Sequence, residues 1–378
     1  MSSRIQQLKT GKKPQIVKCI FFTEALLFFI LLSACSVNRN KTLSELDRDS
    51  IDFGVVITTE SAYHSKILWF DSKLEATQEQ ELSYAALGSP FYVPVEDHGE
   101  LFLIPQGLGN QKDTKKVIGV NKGSLEITEY PFQHIALNHM AAADDRVYAI
   151  NTLNGVSCLE AWDKKNQSSK TVELPGVHFY CIFAGNHKLF AFDMQENPVD
   201  PNKYISTMHV YTSELNLLKE EDISEYGMLS GIGIADSEYL FVTVNVDEEY
   251  APIGKILKIH QDNFTIEEIS TSKDSPHVIY QYQQDLIVTH YDPVVDQGTQ
   301  VSIIEPNGRE TFKDLKVTLT NTAIVENSFI VANQAGIYQF QLPSFELLNS
   351  YPLNVADGYY VSAVLAVDRL KEQETYPK

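Results

Sequence analysis

Cysteine is scarce, with four residues in a chain of 378. Cys19 and Cys35 flank an apolar stretch near the N-terminus, while Cys158 and Cys181 stand in the body. So few in so long a chain excludes a disulfide-built scaffold, and burial must hold the fold. Whether Cys158 and Cys181 bridge stays open at this level. A bridge needs Cα atoms within about 7 Å, and buried free thiols are the alternative. Positive charge is short too: 30 Lys and Arg face 50 Asp and Glu, for a net −20. Such a surface repels phosphate backbones and anionic headgroups, which excludes a nucleic-acid partner. It also keeps the chain soluble. Catalytic signatures are missing as well. There is no nucleophile elbow, no Gly-rich phosphate loop, no His-Glu-x-x-His and no alternating Asp/Asn calcium loop. No catalytic residue, metal or cofactor is assigned from sequence.

Residues 1–34 carry five basic residues against the single acid Glu24, so the remainder holds −24. Residues 19–34 read CIFFTEALLFFILLSA. This run is short of the roughly 20 residues of a spanning helix. A basic lead, a short apolar core and small residues describe a secretory signal peptide. Leu32-Ser33-Ala34-Cys35 resembles the bacterial lipobox. The resemblance implies acylation of the Cys35 thiol and cleavage before it, leaving residues 1–34 as a lipoprotein signal peptide. An uncleaved signal anchor is the alternative. Residues 35–53 are polar and charged and read as a tether.

The body writes one apolar strand seven times. The first copy is Ile67–Asp71, and later copies end at Val120, Trp162, Tyr211, Ile259, Ile304 and Phe340. Counted from Phe70, the spacings are 50, 42, 49, 48, 45 and 36 residues. A period near 45 residues matches four-stranded propeller blades. Polar turns between apolar runs supply the hairpins, as in Gly185-Asn186-His187 and Asp236-Ser237-Glu238. The prediction is an all-β, seven-bladed β-propeller over 54–367, followed by a polar tail, 368–378. The first blade lacks its innermost strand. Tyr359–Leu365 at the far end supplies it, so N- and C-terminal strands pair in one blade and close the ring.

With strands A to D running outward in each blade, the D–A and B–C connections share one face. The B–C loops are the long ones: Gln106–Lys116, Gln195–Tyr204, Asn245–Gly254 and Asp292–Gln300. They carry Asp200, Tyr204, Asp247, Tyr250, Tyr291 and Asp292, the candidate ligand-face residues. Elaborated loops on a regular scaffold are where binding sits. Solvated acidic connectors are the alternative. His134, His178 and His277 each stand where a strand A should open, which predicts a ring of imidazoles at the channel mouth. Neutral imidazole binds metals and carries protons. Polar residues at strand starts are the plain alternative. Most of the aromatic residues, 19 Tyr and 19 Phe, fall on strand positions and read as filling between blades.

The whole resembles extracytoplasmic bacterial seven-bladed propellers of the quinoprotein-like, YVTN-type or WD-like group, on a lipoprotein leader. Trp162-Asp163 is one vestige of a WD signature. With only Trp69 and Trp162 in the chain, the repeated Trp-docking motifs of quinone dehydrogenases are missing. Two functional expectations follow. One is a binding or scaffold protein of the bacterial cell envelope, held to the outer side of a membrane through Cys35. It would present its loop face to a protein, peptide or glycan. The other is a hydrolase or lyase with its site in the channel.

Overall fold

The computed structural model describes residues 48–367, apart from 90, 107–114, 201, 248 and 249. They form seven antiparallel four-stranded sheets, each a blade. Blade one is assembled from both ends of the ring, in the order Tyr359–Ala366, Phe53–Thr59, Ser65–Phe70, Ala76–Leu82. The closing register runs from Phe53 opposite Ala366 to Thr59 opposite Tyr359. The seven-bladed ring and its closure by terminal strands are as the repeat predicts.

Seven apolar clusters hold the ring, one between each pair of neighbouring blades. The period-two alternation of a strand explains how. In the strand Ser65–Phe70, Ile67 and Trp69 enter the cluster shared with blade two. Leu68 and Phe70 enter the one shared with blade seven. Each inner strand is therefore apolar on both faces, which is why the repeat reads as near-continuous apolar runs. Trp69 is fully buried, and its indole N–H donates to Gln80 Oε1 at 3.2 Å. Gly54 makes room for it, since a Cβ there would lie 2.5 Å from the indole ring.

The final stretch of the expected tether packs into the ring. Arg48 opens a short 3-10 turn, Arg48–Ser50. Its guanidinium donates to the carbonyls of Lys122, Gly123 and Ile51. Ile51 is fully buried. Residues 35–47 and the tail 368–378 lie outside the described residues. Cys158 and Cys181 are buried free thiols, one in strand C of blade three and one in strand A of blade four.

Candidate binding face

The B–C connections of blades four, five and six are built by side-chain caps. Asn197 Oδ1 accepts from Val199 N (2.9 Å) and Asp200 N (3.2 Å), and Asp200 Oδ1 accepts from Asn202 N (3.1 Å). Asp247 Oδ1 accepts from Ala251 N at 2.9 Å, and Asp292 Oδ1 from Val294 N at 2.8 Å. Short carboxylate and amide side chains fold the chain back on itself by such bonds. All three predicted acids thus have work inside their own loops.

The tyrosines differ among themselves. Tyr204 is buried and donates to Asp247 O at 3.0 Å. Its ring meets Tyr250 edge to face at 5.4 Å, which ties the blade-four loop to the blade-five loop. Tyr250 is exposed and takes a positive φ of 64°. Tyr291 is buried and donates to Asp296 Oδ1 at 2.8 Å. Burial, and secondarily the Asp296 bond, push its phenol well above the usual range.

Capped loops hold apolar tips in solvent. Val199 is 90% exposed, Val294 81%, Val295 55% and Tyr250 52%. Among the described residues, eleven large apolar side chains are exposed. Six are on the D–A and B–C face: these four, Leu153 and Phe91. The other five lie on outer strands D. Beside Val295 a groove of about 430 Å³ runs between Lys273–Ser275 and the start of strand C in blade six. The loops are legible in the sequence but their valines are not, because one or two valines in a polar loop have no periodicity to mark them.

The predicted ring of histidines does not assemble. His134 does not open strand A of blade three, which begins five residues later at His139. The carboxylate of Glu160, on strand C, holds the connection back: it accepts from Gln133 N, His134 N and His134 Nδ1. His178 is exposed, and its backbone N–H bonds Asp193. His277 alone of the three reaches the channel, where it is buried and packs on Tyr291 at 5.1 Å.

The histidine that crosses the channel is His139. Its Nε2 donates to Gly231 O of blade five at 2.8 Å, and its Nδ1 accepts from Ile182 N of blade four at 3.4 Å. Its ring meets Tyr92 and Phe183 edge-on. Burial drives its pKa down to about 4. The channel itself holds a cavity of about 440 Å³ lined mainly by apolar strand-A side chains such as Met140, Ile182, Ile234 and Ile279. Among the described residues its one carboxylate, Glu96, is paired with Lys122 at 2.7 Å. Cys35 lies outside the described residues.

No family matches the chain as a sequence, and no curated protein matches it. Solved structures do. The dihydro-heme d1 dehydrogenase NirN in complex with DHE aligns at TM-score 0.50 with 13% identity, over 85% of this chain and 76% of that one. Apo AztD from Citrobacter koseri aligns at TM-score 0.52 with 11% identity, over 81% and 82%. A second AztD structure from the same organism gives 0.51 with 10% identity, over 80% and 82%. At such identities the likeness is one of fold alone.

Proposed function

We propose that this protein is a binding module of the bacterial envelope, held to the membrane through Cys35. In this reading it engages a protein or peptide partner through the tips of the blade-four to blade-six loops. One observation carries it: the two large apolar residues most exposed among those described, Val199 and Val294, stand on capped loops of one face. Exposed apolar side chains rimmed by polar groups mark interaction sites. Asp200, Asp292 and Asp296 supply that rim, so the partner should carry an apolar patch edged with basic residues. Loops already shaped by internal bonds lose little freedom on binding. Of the three histidines only His277 lines the channel, whose cavity is largely apolar, so among the described residues the channel offers the hydrolase or lyase expectation no convergent site.

The test is crosslinking capture from intact cells. Changing Val199, Val294 and Val295 together to Asn should lower recovery of the crosslinked partner at least tenfold. Stability should hold, since exposed substitutions stay within about 0.5 kcal/mol each. Equal recovery of the same partner by this variant would sink the loop-face reading. Anchoring is tested separately. Cys35→Ala should leave the precursor uncleaved and without acyl label, and a normally cleaved product would refute it.

A further inference from the structure

Blade three carries a second cluster, away from the loop tips. On its strand C, period two turns Cys158, Glu160 and Trp162 to one face. Trp162 packs in the cluster shared with blade two, so this face looks toward that blade. Glu173 on strand D is the register partner of Cys158. The connection from blade two lays His134 over them. Donor atoms of His134, Cys158 and Glu173 all lie within 4.8 Å of one another.

The connection is fixed before any ligand arrives. Glu160, 1% exposed, accepts from Gln133 N at 2.8 Å, His134 N at 3.0 Å and His134 Nδ1 at 2.6 Å. Asn151 donates to the carbonyls of Ile135 and Ala136. With Nδ1 taken by a carboxylate, the nitrogen His134 has left to offer is Nε2. A carboxylate behind the imidazole is how metal-binding histidines are usually oriented.

We propose that His134, Cys158 and Glu173 form a binding site for a zinc-like divalent transition metal, with Glu160 as the residue that positions His134. The donor set selects the class. Thiolate and imidazole favour zinc and its neighbours, whereas magnesium and calcium take oxygen shells. Metal–ligand bonds of about 2.0–2.3 Å require the three donors to draw slightly closer together. Glu173, exposed on the outermost strand, is free to make that shift. Binding exchanges the thiol proton of Cys158, released to solvent, for a metal–sulfur bond. Three protein ligands leave a fourth position for water or for a donor from a partner.

The test uses the full-length protein, purified in detergent and stripped with chelator. Zn²⁺ should bind at one equivalent by calorimetry, and Co²⁺ should produce thiolate-to-metal charge-transfer absorption. Cys158→Ser and His134→Ala should each abolish both signals, while Cys181→Ser keeps both. Glu160→Gln should retain the cobalt spectrum at saturation but bind roughly 10–100-fold more weakly, as expected for an orienting partner. No stoichiometric uptake by the wild type would overturn the proposal. So would a charge-transfer band that survives in the near-isosteric Cys158→Ser.

Discussion

A chain ending at Gly358 should lose cooperative unfolding and fail to give a folded monomer. The deleted strand Tyr359–Ala366 is strand A of blade one, hydrogen-bonded along Phe53–Thr59. It buries Ala363 and Leu365 between blades one and two, and Val361 and Val364 between blades seven and one. Burying each Val or Leu contributes about 1.5–3 kcal/mol. Ser362 Oγ also donates to Leu87 O at 2.5 Å, and Asn321 of blade seven donates to Val361 O at 3.1 Å. Losing the packing and both ties removes on the order of 10 kcal/mol, as large as a typical domain's whole stability of 5–15 kcal/mol. It also leaves the inner edge of Phe53–Thr59 unpaired. Calorimetry and size-exclusion chromatography check this. A single cooperative transition within about 5 °C of the intact chain would show that six blades suffice.

The second large effect is acid-induced. His139 is held neutral in the ring: its Nε2–H points at a carbonyl and its Nδ1 lone pair at an N–H. A second proton has no acceptor there, and burial already lowers the pKa from 6.5 to about 4. The unfolded chain therefore binds this proton at a higher pH than the folded one. The stability His139 confers is complete above about pH 6.5 and is lost as pH falls toward 4. At about 1.4 kcal/mol per pH unit, the loss approaches 3 kcal/mol. Buried His209 and His290, also shifted down chiefly by desolvation, act in the same direction. Urea titrations at pH 7.5 and pH 5.0 isolate the His139 share. His139→Gln should lower stability at both values, yet its loss between them should be about 2 kcal/mol smaller than that of the wild type. Identical pH dependence in the two proteins would mean that His139 is not held neutral.

The ring is legible in the sequence because its inner strands are buried on both faces, so seven apolar runs survive as a period. The loops are legible from their length. The parts that escape are set by contacts distant in sequence. His134 is drawn out of the strand register by Glu160, 26 residues away. The available signal is Glu160, an acid set between Leu159 and Ala161 in the middle of the strand. His139, with no carboxylate to hold it, takes the place in the channel that the spacing assigned to His134. The loop acids read as ligands from composition, yet backbone geometry makes Asp200, Asp247 and Asp292 turn caps. The His134–Cys158–Glu173 cluster has no ligand spacing, because a connection, a strand and its neighbour each supply one donor.

The described chain enters at Arg48, beside the Lys122–Gly123 turn of blade two, and leaves at Val367, whose N–H bonds Asp52 O at 3.0 Å. Both points lie on the face of the A–B and C–D turns, opposite the valine tips. The described chain thus enters and leaves the ring on the side away from Val199 and Val294. Blade closure by the terminal strands therefore leaves the loop face clear of both points where the described chain meets the ring.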